Sequence, residues 1–263
     1  MPKKIKSLPN RGTPLHPRRY AILVGASSGI GAALARQLAA EGYTLALLAR
    51  RKDLLEGLCA EINAAAGEIR ALPYGHDVCE HAAVPALLER ILSELGGLDL
   101  LVYNAGISLP SGLHHFEFEK DRRVTEVNYL GALAWLNPVA ALFDQRRSGQ
   151  IVGISSVAGE RGRVGNPAYN ASKAALTCYL EGLRNRLTRR GVHVLTVKPG
   201  YVLTEMTAGV KNPLFAISAE DAARAIRAAI RRRAQSVYIA PIWSLVMFVV
   251  RSIPSFLFRR MSF

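Results

Sequence analysis

Short apolar runs alternate with longer amphipathic stretches along most of this chain, and that alternation restricts the folds open to it. The runs are rich in Val, Ile and Leu and short enough for strands, whereas the stretches between them have the length and apolar spacing of helices. Strands that alternate with helices are joined by right-handed crossovers and form a parallel sheet with helices on both faces. We therefore predict a single α/β domain over residues 20–241, with a doubly wound sheet of about seven strands. The predicted strands are 20–24, 44–49, 69–73, 98–103, 150–154, 192–197 and 237–240, and the predicted helices are 30–41, 52–65, 81–95, 118–143, 168–190 and 219–233.

Positive charge is concentrated at the two ends of the chain. The net charge is +14, but residues 1–19 carry six basic side chains and residues 227–263 carry seven, and neither segment has an acidic one. The body between them has 21 basic and 20 acidic residues and is almost neutral, which argues against a nucleic-acid-binding domain. With four prolines and few large apolar groups, residues 1–19 are predicted to form a flexible basic arm, and we expect no signal peptide there because an apolar core is lacking.

Residues 242–263 form an apolar and basic tail. The run 239–250 is apolar except for Ser244, and it is followed by Arg251 and Pro254. Such a run is too short to cross a membrane as a helix, which takes about 20 residues. Aromatic residues mixed with arginines are typical of a helix that lies in the membrane interface. We expect this tail to contact either a membrane surface or a second subunit.

Cysteine usage gives no sign of a disulfide framework or of a structural metal site. Cys59, Cys79 and Cys178 show no Cys-x-x-Cys spacing, which favours a reducing compartment. We therefore expect a cytoplasmic protein, peripheral at the inner face of a membrane if the tail binds lipid. His114 and His115 are adjacent, so on a regular element they face different directions, and no nearby Cys or Asp completes a metal site. We assign no metal and expect these histidines in a loop beside the substrate cleft.

A glycine-rich turn connects the first predicted strand to the first predicted helix. It reads Gly-Ala-Ser-Ser-Gly-Ile-Gly. Glycines at such a turn allow the backbone to approach a pyrophosphate closely, and the N-terminus of the helix favours the negative charge. Strand, turn and helix stand in the order that a dinucleotide site requires. We therefore predict that the phosphates of a dinucleotide bind to Gly25, Ser27, Ser28, Gly29, Ile30 and Gly31.

A tyrosine and a lysine lie four residues apart on the fifth predicted helix. Tyr169 and Lys173 would share one helical face, about 6 Å apart along the axis. A free tyrosine, with a pKa of about 10, is a poor proton donor or acceptor at neutral pH, and a nearby ammonium group lowers that pKa. By itself, Tyr-x-x-x-Lys is also common on ordinary surface helices. Ser155 and Ser156 follow the strand 150–154, so we expect them at the carboxyl edge of the sheet, where open α/β sheets bind ligands.

The glycine spacing Gly-x-x-x-Gly-x-Gly and several later residues resemble the short-chain dehydrogenase/reductase family. Ser156 precedes Tyr169 by 13 residues and Lys173 follows it by four, in the order and spacing of that family. That spacing selects Ser156 over Ser155, which we expect to be structural. Further matches follow the third, fourth and sixth predicted strands or lie in the long helix between them: Asp77, Val78, Asn104, Ala105, Gly106, Asn128, Pro199, Gly200, Val202 and Thr204. The resemblance covers about residues 20–241 and implies a Rossmann-like fold.

The resemblance also implies a role for each matching side chain. Tyr169 would donate a proton to a carbonyl oxygen as the nicotinamide delivers hydride, or accept it in the reverse direction, and Ser156 would bind that oxygen. Lys173 would lower the pKa of the tyrosine and bind the nicotinamide ribose. Asn128 would hold a water molecule that links Lys173 to solvent. The other matches would bind the cofactor, with Asp77 at the adenine ring, Thr204 at the carboxamide, and Val78, Asn104, Ala105, Gly106, Pro199, Gly200 and Val202 around them.

The end of the second predicted strand indicates which dinucleotide binds. An NAD site places a carboxylate on the ribose hydroxyls at this point. Here the strand is followed by Arg50 and Arg51, and the first carboxylate is Asp53. Arginine pairs well with a 2′-phosphate, so we predict NADP(H) in preference to NAD(H). If the two arginines form only a solvated basic pair, the choice stays open.

We expect an NADP(H)-dependent oxidoreductase that transfers hydride between the nicotinamide and a carbonyl or secondary alcohol. Soluble fatty-acid-synthesis reductases of the family end in a Val-Asp-Gly-Gly run, whereas this chain continues from Val237 into an aromatic tail. That departure favours a lipophilic substrate, such as a long-chain keto-lipid or a steroid-like compound, with residues 201–217 as a lid. Two alternatives stay open: a soluble carbonyl or 3-oxoacyl reductase whose tail packs at a subunit interface, and a non-catalytic dinucleotide-binding sensor. A homodimer or homotetramer is expected, without nucleic-acid partners.

Overall fold

The computed structural model describes residues 19–261, and a parallel sheet organises them. The strands are, in chain order, β1 Arg19–Val24, β2 Tyr43–Ala49, β3 Ala71–Gly75, β4 Leu100–Tyr103, β5 Gln150–Ile154, β6 His193–Pro199, β7 Val202–Leu203, β8 Ile217–Ser218 and β9 Ser236–Ile239. Strands β7 and β8 pair with each other, and the other seven form one sheet in the order β3-β2-β1-β4-β5-β6-β9. Every pairing in this sheet is parallel. The predicted seven-stranded α/β fold is confirmed.

Helices cover both faces of the sheet, because each strand buries side chains on both sides. The helices are α1 Gly29–Ala40, α2 Lys52–Ala66, α3 Val84–Leu95, α4 Phe118–Thr125, α5 Gly131–Arg146, α6 Pro167–Leu187, α7 Ala219–Arg231, α8 Ile242–Ser252 and α9 Ser255–Phe258. In β2, Leu45 and Leu47 pack into one core with α1, α2 and α7, whereas Ala46 and Leu48 pack into the other with α3, α5 and α6. Among residues 19–261, no helix has both the length and the apolar character needed to cross a bilayer.

The region predicted as one helix over 118–143 is divided. A π-helical turn, Glu126–Leu130, separates α4 from α5, and it contains Asn128, whose side chain bonds the backbone of Ile107. A π turn adds a residue to the helix, and such turns occur frequently at functional sites. Apolar periodicity could not reveal it, because the helix continues on both sides.

Smaller differences occur at the ends of elements. Strand β3 begins at Ala71, two residues later than predicted, because the backbone N–H groups of Arg70 and Ala71 donate to the side chain of Asn63. Pro73 is tolerated within β3 because this is an edge strand. Strand β1 begins at Arg19, and the rest of the predicted basic arm lies outside the described residues, as do the last two residues of the tail.

Candidate active site

A cavity of about 540 Å³ opens at the carboxyl edge of the sheet, between the turn after β1 and the segment after β6. Because the strands are parallel, their carboxyl ends meet at this edge. Most of the predicted site residues line the cavity: Gly25, Ser27, Ser28, Gly29, Ile30, Arg50, Arg51, Val78, Asn104, Ala105, Gly106, Ser156, Tyr169, Lys173, Pro199, Gly200, Val202 and Thr204. Three predicted residues lie outside this lining: Gly31, Asp77 and Asn128.

Gly25 and Gly31 occupy positions where no side chain fits. Gly25 has a φ of +89°, and a Cβ there would lie 2.5 Å from the backbone nitrogen of Ala105; a Cβ on Gly31 would lie 2.1 Å from the Gly25 oxygen. Asn104 donates from Nδ2 to that same oxygen at 2.6 Å. Ser28 is the N-cap of α1, and its side chain accepts no hydrogen bond from the amides of this helix. The first N–H groups of α1 are therefore suited to an anion, as expected for a phosphate-binding turn.

Arg51 connects the two sides of this part of the cavity. Its guanidinium group donates to the hydroxyls of Ser28 at 2.6 Å and Ser27 at 3.1 Å, and it pairs with Glu205 Oε2 at 2.8 Å. Arg50 also lines the cavity. Two guanidinium groups and two hydroxyls thus lie near the N-terminus of α1, a set of donors suited to a phosphate monoester. Glu205 would compete with such a phosphate for Arg51.

Tyr169 and Lys173 lie in the first two turns of α6, which begins at Pro167, a residue suited to that position. Lys173 is buried; its Nζ lies 5.8 Å from the centroid of the Tyr169 ring and donates to the Ile154 carbonyl oxygen at 2.8 Å. This hydrogen bond connects α6 to the end of β5. Burial lowers the pKa of Lys173 to about 8.

The pKa of Tyr169 depends here on burial and on neighbours other than Lys173, and the effect that the resemblance implies for Lys173 stays a prediction. Shielding from water raises the pKa of Tyr169 above its ordinary value. The opposing effects come first from the Ser156 hydroxyl and then from the charge of Arg163, not from Lys173, which is directed to the Ile154 carbonyl. Tyr169 is therefore held as a neutral phenol at pH 7, the form that can donate a proton.

Burial of Lys173 predicts a pH-dependent stability difference for Lys173→Met. Between pH 8 and about 10.4, the ordinary pKa of lysine, the unfolded chain keeps the Lys173 proton while the folded chain loses it, so wild-type stability rises with pH. Methionine removes this contribution. The difference in Tm, variant minus wild type, is expected to be constant below pH 8 and to fall from pH 8 to 10. The fall is about 2–4 °C for each kcal/mol by which the free energies of unfolding of the two proteins diverge. Calorimetry across this range measures it.

Lys52→Met provides the control, because Lys52 is exposed. Its Tm difference from wild type should not change across the same pH range. A Lys173→Met difference that stays constant from pH 7 to 10 would show that the ammonium group carries no burial cost in the folded chain.

Asn128 is buried in the π turn, and its side chain supports the segment after β4. Its Oδ1 accepts from the Ile107 N–H at 2.8 Å, and its Nδ2 donates to the Ile107 oxygen at 3.0 Å and to the Ser172 hydroxyl at 3.1 Å. A Cβ on Gly106 would lie 3.3 Å from both Asn128 Oδ1 and Lys173 Nζ, so Asn128 and Lys173 flank the same glycine. The water-holding role of Asn128 stays a prediction.

The two serines after β5 have different surroundings. The Ser155 hydroxyl donates to the Lys173 carbonyl oxygen at 2.9 Å and lies 2.6 Å from the Thr177 hydroxyl, which connects β5 to α6. The Ser156 hydroxyl accepts from the Ala158 N–H at 3.1 Å and influences the pKa of Tyr169. Both residues line the cavity, but only Ser156 interacts with the tyrosine.

Asp77 does not belong to the lining of the cavity. Its carboxylate accepts from the Cys79 N–H at 3.0 Å and pairs with Arg123 of α4 at 3.2 Å. The neighbouring residues His76 and Val78 line the cavity instead. The predicted adenine contact of Asp77 stays a prediction.

The cavity also includes residues that the motifs did not identify: Ala49, His76, Ile107, Ser108, Leu109, Val127, Ile154, Ser155, Glu205, Met206 and Thr207. Several directly follow a predicted residue, since 107–109 continue from Gly106 and 205–207 continue from Thr204. Their position next to a predicted site residue in the sequence was the signal that could have identified them. His114 and His115 are exposed before α4 and do not line the cavity, and the described part of the chain has no cluster of three potential metal-binding side chains.

The sequence and fold of this chain are similar to those of known proteins. The sequence pattern of the short chain dehydrogenase family matches residues 19–214. The chain belongs to this family. An uncharacterized oxidoreductase of Mycobacterium tuberculosis is 37% identical over 216 residues, which cover 82% of this chain and 85% of the relative. A 3-oxoacyl-acyl-carrier-protein reductase of Staphylococcus aureus is 32% identical over 197 residues, which cover 74% of this chain and 79% of the relative.

A solved structure supports the same assignment. The short-chain dehydrogenase from Burkholderia cenocepacia, in complex with NADP, aligns with a TM-score of 0.78 at 26% identity, over 92% of this chain and 96% of that chain. The present short-chain dehydrogenase is therefore an oxidoreductase with a Rossmann-like fold.

Proposed function

We propose that this short-chain dehydrogenase reduces the carbonyl group of a lipophilic substrate with NADPH, or oxidises the corresponding secondary alcohol with NADP⁺. The observation that carries the proposal is the composition of the cavity. Tyr169 and Ser156 supply a proton donor and a hydroxyl, and the exposed apolar side chains of Leu109 and Met206 belong to the same lining. A polar reacting centre with apolar residues beside it suits a carbonyl carried on a hydrocarbon.

NADP(H) suits the donors near the glycine turn. Arg50, Arg51, Ser27 and Ser28 would hold the 2′-phosphate, and the N-terminus of α1 would hold the pyrophosphate. The similarity to an NADP complex from Burkholderia cenocepacia supports this choice. When bound there, NADPH supplies the hydride.

Residues of α6 and of the segment after β5 would transfer the proton. Tyr169 donates its phenolic proton to the carbonyl oxygen as hydride reaches the carbon, and the Ser156 hydroxyl donates a hydrogen bond to that oxygen. Lys173, next to Gly106 and Asn128, would return a proton to the phenolate. The products are a secondary alcohol and NADP⁺, with one proton taken up from solvent.

A second candidate function is supported by the Staphylococcus aureus relative, a 3-oxoacyl-acyl-carrier-protein reductase. In that case the substrate is an acyl chain presented on a carrier, and the tail packs against a second subunit of a cytoplasmic homodimer or homotetramer. The chemistry at Tyr169 is the same for both candidates.

We expect kcat/KM for 3-oxo esters to rise with acyl chain length. Each methylene that becomes buried contributes at most about 0.8 kcal/mol, or roughly a fourfold increase. NADPH oxidation, followed by absorbance below the aggregation concentration of each ester, measures this series. Small diketones serve as the comparison. Rapid reduction of diketones together with constant kcat/KM along the ester series would contradict a lipophilic substrate.

A further inference from the structure

Helix α8 is apolar on both of its long faces. One face packs on the domain through Trp243 and Met247, which are buried, and through Val246 and Val250, which are partly buried. The opposite face exposes further apolar side chains: Ile242, Leu245, Phe248 and Val249 are 40%, 61%, 63% and 54% exposed. An amphipathic surface helix would carry polar residues there. The outward face of α8 therefore has the composition of a buried surface without a partner among the described residues.

The inward face of α8 fixes the tail beside the cavity. The Trp243 ring packs edge-on against Phe215 and Tyr201, with both centroids 6.0 Å away. It also lies so close to Gly200 that a Cβ there would be 1.9 Å from its Nε1. Gly200 lines the cavity and Phe215 belongs to the segment between β7 and β8. The tail and the predicted lid thus meet at Trp243.

Polar contacts hold the end of α8 in the same place. Glu160, which follows β5, has a side chain that is only 6% exposed, and it pairs with Lys198 at 2.8 Å and Arg251 at 3.6 Å. Arg161 donates to the carbonyl oxygens of Val250 at 2.5 Å and Ile253 at 2.6 Å, and it covers the ring of Phe258 at 3.8 Å. The outward face of the tail is therefore presented on a fixed support and not on a free segment.

Exposed apolar side chains occur on both the tail and the lid. We call this set the apolar rim, and it comprises Leu245, Phe248, Val249, Phe256 and Leu257 of the tail with Val210, Leu214 and Phe215 of the lid, each 41–66% exposed. Phe215 packs on Trp243, so the lid lies next to the inward face of α8. Exposed apolar side chains in this number are typical of an interaction site.

The charge of the tail identifies the partner. Arg259 and Arg260 are exposed, and no acidic residue follows Asp221 in the sequence. In a two-fold contact between copies the same surface meets itself, so the tail of the second copy would bring arginines and no acidic side chain. An anionic bilayer instead offers phosphate groups to the arginines and acyl chains to the aromatic side chains.

We propose that the apolar rim docks on the surface of an anionic lipid bilayer, so that the cavity takes its substrate from the membrane. This deepens the proposed function and rests on it for the nature of the substrate. Aromatic residues of α8 and α9 enter the interface, and Arg259 and Arg260 bind lipid phosphates. The tail lies on the membrane and does not cross it.

Co-sedimentation of the full-length protein with vesicles tests the proposal. We expect binding to phosphatidylcholine vesicles that contain phosphatidylglycerol, and weaker binding to phosphatidylcholine alone or at high salt. Phe248→Ser should weaken binding to the mixed vesicles on the order of tenfold. Arg259→Gln with Arg260→Gln should do so by a similar factor, through loss of the dependence on phosphatidylglycerol.

Matched controls lie elsewhere on the fold. Ile69→Ser removes an exposed apolar side chain next to β3, at the opposite edge of the sheet from β9. Arg146→Gln with Arg189→Gln removes two exposed charges near the C-terminal ends of α5 and α6. Both controls should bind mixed vesicles as wild type does.

Three results would overturn the docking surface. They are failure of wild type to sediment with mixed vesicles, equal sedimentation of Phe248→Ser and wild type, and a dimer in light scattering that Phe248→Ser dissociates. Reduction of a small soluble diketone without vesicles should be the same in wild type and Phe248→Ser. Vesicle binding without turnover of any lipophilic carbonyl would instead refute the proposed function and leave the surface in place.

Discussion

Replacing Tyr169 with phenylalanine is expected to lower kcat for carbonyl reduction by about 10²- to 10⁴-fold, the usual contribution of a positioned general acid. Among the described residues that line the cavity, Tyr169 is the one that supplies a phenol. Its pKa is raised by shielding from water, so at neutral pH it carries the proton that the reaction needs. The Kd of NADPH, measured by fluorescence, should stay unchanged because the substitution removes only one hydroxyl. Steady-state NADPH oxidation gives kcat.

Tyr179→Phe is the matched control for this substitution. The Tyr179 hydroxyl donates to the side chain of Asn137 in α5, and Tyr179 does not line the cavity. The control therefore loses the same hydroxyl from the same helix, and it should keep wild-type kcat. Wild-type kcat in Tyr169→Phe would refute the assigned role. If kcat and NADPH affinity both collapsed in Tyr169→Phe, the hydroxyl would be needed for the structure and not for the proton transfer.

Replacing Arg51 with glutamine is expected to raise the KM for NADPH on the order of 10- to 100-fold, because a hydrogen bond to a charged group contributes about 1.5–3 kcal/mol. The KM for NADH should change little, since NADH has no 2′-phosphate for Arg51 to bind. The fold should survive, because the ion pair between Arg51 and Glu205 is exposed and such pairs contribute about 0–1 kcal/mol. Kinetics with both cofactors measure the change in preference.

Two further variants show whether Arg51 acts through the phosphate. Glu205→Gln removes the ion-pair partner of Arg51, whereas Arg51 itself keeps its positive charge. The KM for NADPH should therefore stay the same or decrease. Lys52→Gln removes the next positive charge along the chain, that of a lysine paired with Glu56 in α2. This substitution should change the KM for neither NADPH nor NADH. An equal rise in KM for NADPH and NADH in Arg51→Gln would show that Arg51 only maintains the glycine turn through Ser27 and Ser28.

Much of the candidate site could be predicted from the sequence because its residues follow strands. Gly25, Asn104, Ser156 and Pro199 each lie at or just beyond the carboxyl end of a parallel strand, and all such ends meet at one edge of the sheet. Once the alternation of strands and helices was recognised, the common location of these residues followed. The spacing of Tyr169 and Lys173 placed both on one face of α6 in the same way.

The directions of side chains within the site could be predicted less well from the sequence. Asp77 follows β3 as expected, but Arg123 of α4 pairs with its carboxylate outside the cavity. Lys173 lies near Tyr169 as expected, yet its ammonium group donates to the Ile154 carbonyl, and burial lowers its pKa to about 8. Both outcomes depend on groups more than 15 positions away in the chain, so local spacing could not reveal them.

The sequence by itself determined the class of fold and the glycine turn, because both follow from periodicity or spacing within one or two elements, whereas the proposed roles in proton transfer came from the resemblance to the family. Only the tertiary structure decided the placement of the tail. Trp243 packs against Gly200, and Arg161 bonds backbone carbonyls near residue 250, across gaps of 43 and about 90 residues. Such contacts arise where crossovers bring separate elements together, and no local pattern of apolar or charged residues specifies which surfaces will meet.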